Sequence, residues 1–224
     1  MKTLITIIIP FYKKKKYIKQ TIDSIINQSY QNFEIILIYD DVDRTDLPYI
    51  KKILQNVKRK KIIINKRNLG AGHSRNVGIR RAKGKYISFI DADDVWKKNK
   101  LKQQLFFMQN NMIKFSFTSY SIINENDLLI RSIKAKKNLN FKDLVKSCDI
   151  GLSTVMLKRD LLTTEKFPKI KTKEDYILWL KLAKKNVIMR GIDKNLVLWR
   201  KLDNSLSSSI LQRIKDAFFV YNSF

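Results

Sequence analysis

Apolar and polar positions in residues 1–94 follow two patterns, and together they predict a repeating βαβ arrangement. Mainly apolar runs, rich in β-branched and aromatic residues, are typical of strands buried on both faces. Three are expected, at 4–9, 33–38 and 86–90, with a further short strand at 62–64. Helices are expected between them, at 17–26, 47–57 and 74–82. Because such crossovers are right-handed, the elements predict a parallel sheet flanked by helices.

The second half has a more mixed pattern. Residues 114–123 and 129–133 are expected to pair as antiparallel strands around the polar turn 124–127. The other expected strands are 153–157, 187–189 and 196–199, and the expected helices are 141–146, 174–183 and an amphipathic C-terminal helix at 208–224. The chain is therefore predicted to be an α/β protein with a mixed, mainly parallel sheet. We divide it into one domain, 1–207, with halves 1–94 and 95–207, and the helix that follows.

Composition excludes several classes of protein. The chain has 224 residues, of which 44% are hydrophobic, enough for one well-formed core. Cys148 is the only cysteine and His73 the only histidine, so an intrachain disulfide and a thiolate–imidazole zinc site are both excluded. No apolar stretch approaches the roughly 20 residues that span a bilayer. We therefore expect a cytoplasmic protein, or one bound peripherally to the cytosolic face of a membrane.

A formal net charge of +26 raises the question of a polyanionic partner. The basic residues are spread along the chain, however, and no zinc-finger spacing, RNA-recognition motif or basic heptad array is present. We rank solvated lysine-rich faces first, an anionic membrane surface or a phosphate-bearing substrate second, and nucleic acid third.

Carboxylates follow two of the expected strands. Asp40 and Asp41 come after the second strand, and Asp91, Asp93 and Asp94 follow the fourth. Ligands of parallel α/β sheets bind beyond the carboxyl ends of the strands, so these side chains are expected to line one crevice. The alternative is that each caps the turn or helix that follows it. Five carboxylates at two strand ends of a very basic protein favour the crevice.

The spacing of these residues indicates phosphate chemistry. Asp91 and Asp93, two positions apart in a turn, can hold a hard divalent cation such as Mg²⁺ or Mn²⁺ with positions open for phosphate oxygens. His73 and Arg75 lie at the start of a helix after a glycine-containing turn, a natural place for an anion. Tyr12, just beyond the first strand, can stack on a base.

In this order and placement, the motifs make the chain resemble a family 2 glycosyltransferase of the GT-A (Rossmann-like) fold. The resemblance covers about residues 4–208. It rests on these segments: 7–12 (IIIPFY), 24–30 (SIINQSY), 33–36 (FEII), 40–41 (DD), 68–70 (NLG), 74–78 (SRNVG), 84–94 (GKYISFIDADD), 173–180 (KEDYILWL), 199–200 (WR) and 205–207 (SLS).

The resemblance implies an inverting transfer from a nucleotide-diphospho-sugar, most often a UDP-sugar. The implied donor-binding residues are Pro10 and Tyr12 beside the base, Asp40 on the base, Arg75 near the base and diphosphate, Asp91 on the ribose or metal, and Arg200 on the diphosphate. Asp93 would be the principal ligand of Mn²⁺ or Mg²⁺. Asp175 would be the general base, which the basic surroundings are expected to keep ionised at neutral pH. Glu174 would orient Asp175 or contact the acceptor, and Trp179 is expected in the core.

The sequence departs from the family pattern in three places. Lys13 stands where Asn is frequent, Val42 and Asp43 replace the usual Gly-Ser after Asp41, and Leu202 takes the place of a frequent His. The loss of that His puts metal affinity in question, although neighbouring Lys201 offers a positive charge.

Members of the family often act on lipid-linked intermediates of cell-surface polysaccharides. The expected acceptor is accordingly a saccharide or a lipid-linked saccharide, and the expected partners include an anionic membrane surface but not nucleic acid. The C-terminal helix is expected either to pack on the domain or to dock on that surface. Two other functions remain alternatives: a sugar nucleotidyltransferase, and a non-catalytic polyanion-binding protein. A third alternative is a degenerate transferase that binds a nucleotide sugar but turns it over poorly.

Overall fold

The structure is a computed structural model that describes residues 2–202 and Val220. The predicted C-terminal helix at 208–224 therefore lies outside the described residues, apart from Val220, which is helical and buried.

Strands and short helices alternate along the described chain. The strands are β1 (Ile5–Phe11), β2 (Phe33–Tyr39), β3 (Lys60–Ile64), β4 (Tyr86–Phe89), β5 (Val95–Trp96), β6 (Phe115–Ile123), β7 (Leu129–Ile133), β8 (Asn138–Leu139), β9 (Met156–Lys158) and β10 (Met189–Arg200). The α-helices are α1 (Lys15–Ile26), α2 (Leu47–Ile53), α3 (Ala71–Arg81), α4 (Lys100–Asn110), α5 (Phe141–Lys146) and α6 (Glu174–Lys184). Single 3₁₀ turns are at Arg44–Asp46, Leu152–Thr154 and Arg159–Leu162.

All ten strands belong to one mixed sheet. Its main path runs β3-β2-β1-β4-β9-β6-β10-β5, with β7 paired to β6 and β8 to β10. Strands β1 to β4 are parallel, as predicted. Strand β9 is antiparallel to both β4 and β6, and β10 is parallel to β6. Because β9 is antiparallel to both of its neighbours, β6 and β10 run in the same direction as β4. They therefore end at the same edge of the sheet as β1, β2 and β4.

Alternation along the central strands fills a core on each side of the sheet. Ile7 and Ile9 of β1 face the layer that contains α1, α2 and α4, whereas Ile8 faces the layer with α3, α5 and α6. Strand β2 repeats this division. Trp179 of α6 is fully buried in the second layer, with its ring 4.9 Å from that of Phe115, which confirms the prediction that it packs in the core.

The predicted mixed, mainly parallel sheet flanked by helices is confirmed, with local differences. The prediction of a strand at 153–157 is wrong in part, because residues 152–154 form a 3₁₀ turn before β9 begins. Strands 187–189 and 196–199 are one strand, β10, whose register against β6 shifts twice. Helix α4 has no counterpart among the predicted elements. Predicted halves 1–94 and 95–207 share one sheet, joined where β4 meets β9.

Gly84 allows the chain entering β4 to pass close to β1, and its replacement gives the first prediction. A Cβ at Gly84 would lie 2.5 Å from the backbone nitrogen of Thr6, an atom that cannot move without shifting β1. We expect Gly84→Ala to lower the free energy of unfolding by about 1–3 kcal/mol in urea titrations.

Gly151→Ala is the matched control, because its Cβ would meet its nearest atoms at 3.6 Å, an ordinary contact. Equal unfolding midpoints for the two variants would contradict the close approach of the chain entering β4 to β1.

Candidate active site

The turn that follows β4 carries three aspartates with different surroundings. The carboxylate of Asp94 is buried and accepts hydrogen bonds from the Ser153 hydroxyl and from the backbone N–H of Arg200, at 2.9 Å. Burial, and then the neighbouring Asp93 and Asp91, raise its pKa well above the ordinary value. Asp94 therefore fastens the turn to the end of β10 rather than facing the crevice.

Asp93 is paired with a cation from the protein itself. The Lys14 ammonium lies 2.8 Å from its Oδ2, and the Asp93 side chain is 15% exposed. Burial raises the pKa of Asp93, Lys14 opposes that change, and Asp91 adds to it. The two carboxylates thus repel each other at a site that already attracts positive charge.

Arg75 of α3 is buried between two acidic residues from distant parts of the chain. Its Nη2 donates to Asp91 at 2.6 Å, and its Nη1 donates to Glu174, the first residue of α6, at 2.5 Å. Burial alone would lower the pKa of Arg75, but Asp91 and Glu174 outweigh that effect and raise it. Arg75, expected near the base and diphosphate, thus joins the acidic turn to α6.

Asp175 lies next to this bridge, in the first turn of α6. Burial and the neighbouring Glu174 raise its pKa to about 7, against the opposing effects of Arg75 and of the Tyr176 backbone N–H. The expectation that basic surroundings keep Asp175 ionised at neutral pH is therefore wrong in part, because a carboxyl group with a pKa of about 7 is only partly ionised there. Arg75 is shared between two other carboxylates, and burial outweighs the attraction that remains.

The carboxylate of Asp40, at the end of β2, accepts hydrogen bonds from other groups of the protein. Its Oδ1 accepts from the backbone N–H of Leu69 and from the Asn65 amide, and its Oδ2 accepts from the backbone N–H of Gly70. These bonds hold the turn before α3, in which Gly70 has a φ of +83°. The predicted contact of Asp40 with a base stays a prediction, because the carboxylate in this structure fixes that turn.

The two residues expected beside a base lie at the end of β1. Pro10 is buried inside the strand, opposite Ile38 of β2. Tyr12 follows the strand and is 44% exposed, with the Lys13 ammonium 5.3 Å from its ring centroid. A partly exposed aromatic ring at the carboxyl edge of the sheet is available for stacking.

Arg200 ends β10 and is committed to contacts within the protein. Its guanidinium donates to the Asp93 backbone oxygen and to the Gln20 side chain, and its Nη1 lies 2.7 Å from Oδ1 of Asp127. It also lies 4.8 Å from the ring centroid of Tyr17. Its predicted diphosphate contact stays a prediction, and in this structure Arg200 fixes the acidic turn from the side opposite Arg75.

The fold brings together one group of predicted residues, consisting of Asp91, Asp93, Arg75, Glu174 and Asp175. Sequence analysis missed two of the residues that support this group. One is Lys14, which composition alone groups with the solvated lysine-rich faces, although its place just beyond β1 is a usable signal.

Ser153 gave no local signal in the sequence. Its hydroxyl donates to Asp94 and accepts from the backbone N–H of Asp91, from 62 residues away along the chain.

The residues present fit a divalent cation. Asp91 and Asp93 supply hard carboxylate oxygens that repel each other, and Lys14 shows that the position accepts positive charge. Among residues 2–202 and Val220, no group of three or more acidic, His or Cys side chains is arranged as a metal site. A cation here would thus depend on two carboxylates and on oxygens from a bound ligand.

Helices long and apolar enough to cross a membrane are absent from the described part of the chain.

Known proteins share the sequence pattern and the fold of this chain. The family model described as "Glycosyl transferase family 2" matches residues 6–164. TuaG of Bacillus subtilis (strain 168), whose name assigns it to teichuronic acid biosynthesis as a glycosyltransferase, is 35% identical over 224 residues. That alignment covers 98% of this chain and 88% of TuaG. WfgD of Escherichia coli is named as a UDP-Glc:alpha-D-GlcNAc-diphosphoundecaprenol beta-1,3-glucosyltransferase. It is 35% identical over 99% of this chain and 86% of its own length.

Among solved structures, residues 1–349 of S. aureus TarS in complex with UDP-GlcNAc superimpose with a TM-score of 0.74 at 22% identity. The match covers 92% of this chain and 60% of that TarS chain, and it bears on the fold alone.

The Arg75 bridge gives the second prediction. Arg75→Gln would leave the buried Glu174 and the partly buried Asp91 without their shared cation, and we expect a loss of about 3–5 kcal/mol in the free energy of unfolding. Arg81→Gln, at an exposed arginine of the same helix, is expected to change it by less than about 0.5 kcal/mol. Chemical denaturation of both proteins measures the difference, and a stable Arg75→Gln variant would show that the bridge is dispensable.

Proposed function

The chain belongs to glycosyl transferase family 2 and is a glycosyltransferase, and we propose that it is a metal-dependent enzyme that transfers a sugar from a UDP-sugar to a hydroxyl of a lipid-linked saccharide. The observation that carries the proposal is the Arg75 bridge between the turn after β4 and Glu174, which sets Asp175 beside that turn. A partly buried carboxylate with a raised pKa beside a site for phosphate is what hydroxyl activation requires.

The proposed donor site lies along the carboxyl ends of β1, β2 and β4. The exposed ring of Tyr12 supplies a surface for the base. Support for a UDP-sugar comes from WfgD, named for UDP-Glc, and from the TarS complex with UDP-GlcNAc. Asp91 and Asp93 would hold Mn²⁺ or Mg²⁺, which when bound neutralises charge on the leaving diphosphate. Lys14 would have to leave Asp93 as the cation enters.

In the proposed reaction Asp175 accepts the proton of the attacking acceptor hydroxyl. A single displacement at the anomeric carbon inverts its configuration. A pKa of about 7 suits a general base that works near neutral pH, since both the ionised fraction and the basicity are then substantial. Arg75 pairs with Glu174 beside Asp175 and holds α6 against the acidic turn.

The proposed biological setting is the assembly of a cell-envelope polysaccharide. Support comes from TuaG, which is similar over almost the whole chain and is named as a glycosyltransferase of teichuronic acid biosynthesis. The name of WfgD supports an acceptor linked through diphosphate to a polyprenol. We place the reaction on the cytoplasmic side, at or near a membrane surface, where such an acceptor would be presented. The nucleotidyltransferase and polyanion-binding alternatives gain no support from these relatives.

Donor binding gives the third prediction. We expect UDP with Mn²⁺ to raise the thermal unfolding midpoint, and a ligand at about 100 times its Kd stabilises by about 2.7 kcal/mol. In Asp93→Asn the part of the shift that needs Mn²⁺ should disappear, because the proposed cation loses a charged ligand. Asp160→Asn, at an exposed aspartate of a 3₁₀ turn, should behave like the wild type. A full Mn²⁺-dependent shift in Asp93→Asn would refute the proposed metal role.

The general base gives the fourth prediction. Below pH 7, kcat/KM should rise about tenfold per pH unit, and it should level off above pH 7 as Asp175 becomes ionised. Asp175→Asn should lower kcat by about 10²–10⁴-fold while the UDP-induced thermal shift persists. UDP release, measured with a panel of UDP-sugars and polyprenyl-diphosphate-linked saccharides, provides the rates. Wild-type turnover in Asp175→Asn would exclude this residue as the base.

A further inference from the structure

The hairpin formed by β6 and β7 exposes three consecutive apolar side chains. Leu128, Leu129 and Ile130, here called the apolar tip, are 64%, 66% and 50% exposed. In the antiparallel register, Ile123 pairs with Leu129 and Ile122 with Arg131, so that Ile130 is an extra, bulged residue. Clustered exposed apolar residues on a well-packed protein indicate a surface that another partner covers.

The apolar tip is presented by a well-anchored turn. The Asn124 side chain accepts hydrogen bonds from the backbone N–H groups of Asn126 and Leu128, both at 2.9 Å. The two acids of the turn are each paired with a cation of the neighbouring structure, since Asp127 contacts Arg200 at 2.7 Å and Glu125 contacts Lys16 at 3.7 Å. The position of the tip is thus fixed, and the negative charges beside it are balanced.

Positive charge follows the apolar tip directly. Arg131, Lys134 and Lys137 are exposed on β7 and on the segment that leaves it. The whole chain carries a net charge of +26. An apolar surface bordered by cations complements an anionic lipid bilayer, in which hydrocarbon lies beneath negatively charged headgroups.

We propose that the apolar tip inserts into the interface of an anionic lipid bilayer, with Arg131 and Lys134 against the lipid headgroups. This goes beyond the proposed reaction, because docking on a bilayer requires no donor and no catalysis. The hairpin becomes the membrane-facing element of the protein and defines which side of it meets the lipid.

A second copy of the chain is the main competitor for this surface, because β7 is an edge strand that can pair with another strand. Charge disfavours that occupant. Pairing two β7 strands would bring together Arg131 and Lys134 of two molecules that each carry +26. Basic residues on edge strands are a common device against such pairing.

The apolar tip lies close to the acidic crevice. Asp127 in the same turn contacts Arg200, whose Nε donates to the backbone oxygen of Asp93 at 2.9 Å. The apolar tip is therefore on the rim of the acidic crevice. Docking there would bring the crevice to the bilayer surface, where a lipid-linked saccharide would enter; this last step rests on the proposed function.

Vesicle binding tests the proposal directly. Wild-type protein is sedimented with vesicles of phosphatidylcholine alone and with vesicles that contain phosphatidylglycerol. We expect binding to the anionic vesicles, and a fall of about tenfold or more in the partition coefficient for the triple variant Leu128→Ser, Leu129→Ser, Ile130→Ser. Arg131→Gln with Lys134→Gln should weaken binding at low salt and lose part of its salt dependence.

The matched control removes exposed apolar area elsewhere. Phe106 and Met112 are 66% and 87% exposed at the end of α4, where Gln109 contacts Thr3, near the amino end of β1 and so on the opposite edge of the sheet. Phe106→Ser with Met112→Ser should bind anionic vesicles as the wild type does. Asp175→Asn should also bind normally, which separates docking from the proposed catalysis.

Three results would overturn the proposal. The first is a wild-type protein that does not bind anionic vesicles. The second is a triple variant that binds them as the wild type does, with or without a change in its melting temperature. The third is a wild-type dimer, seen by sedimentation velocity, that the triple variant loses while neither protein binds vesicles.

Discussion

One guanidinium, enclosed between carboxylates from the two halves of the chain, underlies the architecture of the site. Arg75 contacts Asp91 in the turn after β4 and Glu174 at the start of α6, at 2.6 and 2.5 Å. Because all three groups lose much of their hydration, each is stable in place only while the others are present. The position of Asp175 and the direction in which α6 enters the site both depend on this three-way contact.

The same electrostatic rule applies on the other side of the acidic turn. Lys14 lies against Asp93, and Arg200 contacts Asp127 and the backbone of the turn. A strongly basic protein thus concentrates its acids at one edge of the sheet and supplies cations to balance most of them. Asp175 is left without a full partner, so that burial and the neighbouring Glu174 raise its pKa.

Local sequence patterns predicted the first half of the fold well, because β1, β2 and β4 are buried on both faces and their apolar runs need no distant partner to be recognised. The second half was harder to predict. Strand β10 is continuous although its middle residues are polar, since β6 pairs along it through two register shifts. For the site, the residue types at the strand ends could be read from the sequence, but the residues that contact them could not. Ser153 and Glu174 reach the acidic turn only through tertiary structure. Burial, which raises the pKa of Asp175, cannot be read from the residues beside it.

Strand β9 is three residues long, yet it is the link through which the sheet passes from one half to the other. Its pairings with β4 and β6 reverse direction twice, so that elements from the second half meet the first half's strand ends as if the whole sheet were parallel. In evolutionary terms this separates two kinds of change. Insertions in the second half, around β6 and β7, would change the proposed docking surface, while the strands whose ends carry Asp91 and Asp93 remain as they are. A junction of three residues thus lets one arrangement of strand ends be combined with different second halves.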